Sequence, residues 1–207
     1  MNKQIYGNCF MEAAFGKQPF TGHPHLYGGE PNRYFQEFLT RQEPGSLLLP
    51  LEGSGCNAIY AAKMGWQVDA FTNSGEAIRK ALQNAMEAGV SLRYFQSSAA
   101  AFNPVKSYDA IALVFAHLPP GDRKALHGKL VAALNKGGHL LVVGFARKQL
   151  AYQTGGPEDS NLLYTTKMLL DDFADLTIER CENLLVQLEN GPCHQGRAAI
   201  MVMEASR

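Results

Sequence analysis

Glu52, Gly53, Ser54 and Gly55 stand where the apolar run Leu47–Leu51 stops and a helix-like pattern of Ala58, Ile59, Ala61 and Ala62 begins. Glycines tolerate positive φ and let a ligand come close to the backbone. A strand, a tight Gly-x-Gly turn and a helix start are the arrangement with which α/β proteins hold an anionic, nucleotide-like ligand. Its carboxylate or phosphate would meet the free N–H groups at the helix start. Gly-x-Gly also closes ordinary structural turns, so the neighbours decide what the loop means. Glu52 suits two tasks, facing a cationic group or capping the next helix with its carboxylate. Asn57 has the residue type of a helix cap. His117 and His194 titrate in the range of a base at neutral pH, and His117 equally suits hydrogen-bonding a loop to shape a pocket.

The elements that must position these residues follow from periodicity. Leu47–Leu51, Gln67–Phe71, Ser91–Phe95, Tyr108–Phe115 and His139–Phe145 read as five strands, separated by helical segments. The helices are expected after Pro31 (Tyr34, Phe35, Phe38, Leu39), then over Ala58–Met64, Glu76–Glu87 and Arg123–Leu134, the last stopped by Gly137-Gly138. Beyond a polar loop over Gln149–Leu163, Thr165–Phe173 reads as a helix. Leu176–Leu188 and Ala198–Glu204 then form two strands joined by Glu189-Asn190-Gly191-Pro192. Repeated β-α units predict an α/β, Rossmann-like three-layer sandwich with a seven-stranded, mostly parallel sheet and an antiparallel C-terminal hairpin strand. Ligands of such sheets bind at the carboxyl ends of the strands, beside strand one. Gly53, Thr72, Ser97 and His117 all fall there.

Composition narrows the function classes. The 207 residues fit one domain, 1–207, divided into an N-terminal segment and helix over 1–45 and a Rossmann-like core over 46–207. Nineteen basic residues balance nineteen acidic ones, with no Lys/Arg stripe, so no nucleic-acid partner is expected. No apolar run approaches the ~18 residues of a membrane span. Met1–Tyr6 lacks the apolar core of a signal peptide, and the four cysteines show no C-x-x-C spacing, which points to the cytoplasm. His23 and His25 flank Pro24 without a third ligand nearby, so no metal site is expected, and His127 and His139 read as surface or strand positions.

The order of these pieces resembles class I S-adenosylmethionine-dependent methyltransferases, and within them the branch of tellurite-resistance and thiol-methyltransferase-like proteins. The matching residues are Tyr27-Gly-Gly-Glu-Pro-Asn32, Glu52-Gly-Ser-Gly-Cys-Asn57, Phe115-Ala-His-Leu-Pro-Pro120, Leu134-Asn-Lys-Gly-Gly138, Gly155-Gly-Pro157 and Glu189-Asn-Gly-Pro-Cys-His-Gln-Gly196. The resemblance implies S-adenosyl-L-methionine as the cofactor, its methionine end packed on Glu52, Gly53, Ser54 and Gly55, with Asn57 and Phe115 beside it. It places Thr72 and Asn73 where many relatives carry an acid for the ribose, and Ser97 or Ser98 where many carry one for the adenine. Leu51 replaces a glycine of the loop and Leu49 the acid at the end of strand one. Tyr27 and Asn32 would order a lid, and Tyr152 and Gly155 would lie in a substrate-contacting loop. His117 and His194 are the candidate bases, needed only where the acceptor must lose a proton.

The reaction implied is methyl transfer to a small-molecule acceptor such as a thiol or another soft nucleophile, by a monomer or homodimer. Two other readings compete. A non-catalytic relative would bind S-adenosylmethionine or S-adenosylhomocysteine as a sensor, as the neutral Thr72 and Ser97 suggest. An NAD-type oxidoreductase would use Gly53-x-Gly55-x-x-Ala58 as its dinucleotide fingerprint, but lacks the acid expected roughly 20 residues on.

Overall fold

Apolar runs buried on both faces alternate with short helices through most of the chain, and this alternation builds one sheet. The computed structural model describes residues 29–152, 154–189 and 195–207. In chain order the elements are α1 (Arg33–Leu39), β1 (Ser46–Pro50), α2 (Cys56–Lys63), β2 (Gln67–Thr72), α3 (Gly75–Glu87), β3 (Arg93–Gln96) and β4 (Tyr108–Val114). They continue with α4 (Pro120–Ala133), β5 (Leu134–Phe145), α5 (Thr166–Asp172), β6 (Thr177–Glu189) and β7 (Gln195–Ser206), with 3-10 turns at Arg147–Ala151 and Ser160–Leu162.

The sheet has seven strands in the order β3-β2-β1-β4-β5-β7-β6. β1 to β5 pair in parallel, while β7 runs antiparallel to both β5 and β6. The expected Rossmann-like sandwich with a closing hairpin is observed. Leu47 and Leu49 point to the face that packs α1, α2 and α3 through Phe35, Phe38, Ala58, Ala61 and Ala81. Leu48 and Ile111 point to the other, covered by Leu126 and Leu130 of α4 and Leu169 of α5. Phe35, Phe38 and Leu39 are fully buried, so α1 belongs to the core.

Element boundaries differ from the expectation at the end of β1 and around Gly137-Gly138. β1 stops at Pro50 because Leu51 turns into the left-handed region, φ 55°. Gly137 and Gly138 do not stop α4: Leu134 is already extended and pairs with Tyr108. The register shift between Tyr108 and Ala110 takes up the extra residues, and Gly137, at φ 76°, donates to Arg207 O at 2.7 Å. A Cβ on Gly138 would lie 3.0 Å from Asp109 O, so these glycines serve the sheet. The polar loop after β5 is pinned by Gln149, which is buried. Its amide reaches Thr154 Oγ1 and Gly155 O, while its Oε1 accepts from Ala199 N–H of β7.

Candidate active site

β1 delivers a strained turn to the carboxyl edge of the sheet. The Glu52 N–H donates to Phe71 O of β2 at 3.0 Å. From β3, the Tyr94 hydroxyl lies 2.5 and 2.7 Å from the carbonyl oxygens of Glu52 and Gly53. Burial pushes the Tyr94 pKa well up, so it serves here as a donor. Gly55 caps α2 at φ 88°, and a Cβ there would sit 2.8 Å from Ala81 Cβ of α3. Gly55→Ala combines left-handed strain with that clash, and we expect a loss of roughly 2 kcal/mol in chemical denaturation.

Glu52 is only 6% exposed. Its carboxylate accepts from Asn57 Nδ2 at 3.2 Å and from the backbone N–H groups of Asn57 and Ala58. Burial raises its pKa, and these donors oppose the rise. Two expectations change as a result. Asn57 does not cap α2, because it lies inside the first turn and its side chain bridges Glu52 to the Asn32 N–H, which it accepts at 2.9 Å. The start of α2 is also not open to an anion. Glu52 takes the N–H groups of Asn57 and Ala58, and Ile59 N–H bonds Gly55 O. The loop presents a buried negative group, which suits a cation.

The remaining sequence-predicted positions that the structure describes follow the ends of β2, β3 and β5 or the start of α1. Thr72 is buried at the end of β2, its Oγ1 3.5 Å from Ser74 N. Asn73 O accepts from Gln96 Nε2, and Ser97 N–H donates to Thr72 O. Ser98 Oγ accepts from Ala101 N–H and so closes the turn after β3. The Asn32 side chain caps α1 by accepting from Tyr34 and Phe35 N–H. Tyr152 lies under the Arg197 guanidinium, 5.6 Å from ring centre to Cζ, and the Gly155 carbonyl is taken by Gln149. Tyr27, His194, His23 and His25 lie outside the described residues.

His117 is brought to the end of β4 but not as a base. It is 3% exposed, with Nδ1 2.8 Å from Leu162 O and Nε2 accepting from Phe145 N–H at 3.0 Å. A backbone N–H can only donate, so the ring proton sits on Nδ1 and the lone pair is committed. Burial lowers its pKa to about 4. The ring shapes the pocket, the second of the roles its position suggested. Phe115, two residues earlier, lines a cavity of about 600 Å³ with Asn32, Tyr34, Val186, Leu188 and Ile200.

Residues 52–138 match the family described as Methyltransferase domain. The match spans less than half of the chain. It begins at Glu52 and holds the glycine loop and β2 to β4. No curated protein matches the chain. Among solved structures, a protein studied for the conversion of a disulfide bond into a thioacetal group during echinomycin biosynthesis is 17% identical. It has a TM-score of 0.74, covering all of this chain and 93% of that one. TehB from Haemophilus influenzae is 16% identical with a TM-score of 0.71, over all of this chain and 67% of that one. The magnesium protoporphyrin IX methyltransferase ChlM from Synechocystis PCC 6803, solved with bound S-adenosylmethionine, is 16% identical at a TM-score of 0.62, over 84% of this chain and 76% of that one. These likenesses share the fold. The expected methyltransferase and its cofactor agree with the domain match. The oxidoreductase reading does not: β7 sits antiparallel between β5 and β6, unlike the 3-2-1-4-5-6 order of dinucleotide folds, and Glu52 would repel a pyrophosphate.

Sequence reasoning missed a second polar cluster. His127, expected at the surface, is 1% exposed on α4, with Nδ1 2.9 Å from Asp172 of α5. Arg123 Nε meets the same carboxylate at 2.6 Å. Their spacing of 45 and 49 residues leaves no local signature. Among the described residues no helix is long and apolar enough to cross a membrane, and no cluster of His, Cys, Asp and Glu could hold a metal ion.

Proposed function

We propose that this chain transfers a methyl group from S-adenosylmethionine to a small-molecule acceptor, and that the acceptor is a thiol or another soft nucleophile. The observation that carries the reading is the buried Glu52 carboxylate, held by Asn57 and the start of α2 beside Gly53 and Gly55. S-adenosylmethionine supplies a methyl group already activated on a sulfonium, together with a cationic ammonium. Glu52 would hold the ammonium. Gly53, Ser54 and Gly55 would line the methionine end, Thr72 and Asn73 would meet the ribose, and Ser97 and Ser98 would meet the adenine. Neutral hydrogen bonds at those last positions are worth roughly half a charge-assisted one, which throws more of the binding onto Glu52.

The acceptor would enter the cavity between α1 and the β6–β7 hairpin, against Phe115, Val186, Leu188 and Ile200. Positioning and exclusion of water can supply about 7–11 kcal/mol of such a barrier without an acid or base. With both nitrogens of His117 committed, the wall beside β4 favours an acceptor that is already nucleophilic, as a thiolate is. The motifs shared with the tellurite-resistance and thiol-methyltransferase-like branch support the same acceptor. So does the sulfur chemistry named for the echinomycin-pathway neighbour.

Calorimetry tests the reading. We expect one-to-one heat with S-adenosylmethionine and S-adenosylhomocysteine and none with NAD. Glu52→Gln should weaken both by about tenfold, the loss of one charge-assisted contact. No heat from the wild-type chain with either sulfur compound would overturn it.

A further inference from the structure

After β4 the backbone takes a conformation that residues bearing a Cβ avoid: Phe115 sits at φ 53°. Such a residue persists only where its surroundings over-determine it, and here consecutive positions are gripped. Phe115 N–H donates to Val143 O at 2.7 Å. The Tyr164 hydroxyl donates to Ala116 O at 2.5 Å. His117 then ties the segment to Leu162 O and to Phe145 N–H. Tyr164 is itself anchored, with its N–H on Phe145 O and its carbonyl accepting from Arg147 N–H.

The packing around this grip is equally specific. His117 and Tyr164 lie 5.0 Å apart between ring centres, and Phe115 and Phe145 4.8 Å. Gly144 makes room for both clamping rings: a Cβ there would fall 2.5 Å from Tyr164 Cε2 and 3.2 Å from His117 Cε1. Both rings hydrogen-bond main-chain atoms (Ala116 O, Leu162 O and Phe145 N–H), and the residue they constrain lines the cavity.

We propose that His117 and Tyr164 are positioning residues that hold Phe115 in its left-handed conformation and so set the wall of the acceptor cavity. The identity of that cavity as the acceptor's rests on the methyltransferase reading, whereas the clamp itself does not. Three local rules combine: the post-β4 turn is strained, the clamp offsets the strain, and Gly144 permits the clamp.

Amide hydrogen exchange on the full chain tests it, comparing the wild type with Tyr164→Phe, with His117→Phe and with each combined with Phe115→Gly. Either single substitution should speed exchange at residues 115–118 by about tenfold, the size expected for losing one hydrogen bond. Exchange in β1, β2 and β3 should not change. Adding Phe115→Gly should restore protection, because glycine holds positive φ unaided. A side chain that merely fills the core would show no such rescue. The clamp is wrong if protection is unchanged, if it falls across β1 to β3 as well, or if Phe115→Gly fails to restore it. Tyr164→Phe removes one oxygen and keeps the ring, so its result stands if His117→Phe does not fold. Absence of S-adenosylhomocysteine binding by the wild type would sink the methyltransferase reading and leave the exchange result intact.

Discussion

Asp172→Ala should lower the unfolding free energy by roughly 3–5 kcal/mol, the largest loss we expect from any single truncation in this chain. Asp172 is where α5 meets α4. Burial alone would push its carboxyl up, but the hydrogen bonds and charges of His127 and Arg123 outweigh it and hold the pKa at about 2. Removing the carboxylate strands a guanidinium that is 4% exposed and a ring N–H that is 1% exposed. The penalty is that of an unpaired buried charge more than of the lost attraction. For a chain of this length the melting temperature should fall by roughly 10 °C. A control separates the two contributions. Arg123→Met with Asp172→Leu removes the charge together with its partner, and should be more stable than Asp172→Leu alone. If the double variant is no better, the cost lies in packing of α5 and the account of the triad fails.

The sheet was legible because strands buried on both faces read as unbroken apolar runs. Tyr108–Val114 and the leucines of β1 left few alternatives. What escaped were the side-chain contacts between residues distant in sequence and the backbone strain they hold. Residue type leaves His117 open between a base and a pocket-shaping ring, because the partners that decide are main-chain atoms of Leu162 and Phe145, 45 and 28 positions away. Leu51 and Phe115 occupy left-handed backbone that glycine alone would have advertised. The loop itself was half legible. Its glycines suggest an anion site, and the acid beside them suits either a cationic group or the cap of the next helix. The fold then let Glu52 close the helix start and turn the preference toward a cation. Arg123, His127 and Asp172 carried no local pattern at all, since their contact is made by the packing of two helices.

Acid should unfold this protein earlier than its carboxylates would, and His117 supplies the reason. Its pKa falls from 6.5 to about 4 because burial disfavours the imidazolium, and the Phe145 N–H occupies the nitrogen a proton would need. The unfolded chain therefore binds a proton near pH 6.5 that the folded chain refuses until about pH 4. Stability is complete above that window and is lost as pH falls through it, by about 3 kcal/mol from this residue. His127, also lowered by burial, shifts the balance in the same direction. Glu52 opposes them, since its raised carboxyl takes up a proton more readily in the folded state. Asp172 adds its own loss only below its ordinary value of 3.8. Urea unfolding at intervals from pH 7.5 to 4 should thus show a slope of about 1.4 kcal/mol per pH unit for each histidine proton. In His117→Phe, which keeps a ring in the stack and cannot titrate, that slope should fall by one proton's worth. An unchanged slope would mean that the ring already protonates near its ordinary pKa in the fold, and that the Phe145 bond does not hold its lone pair.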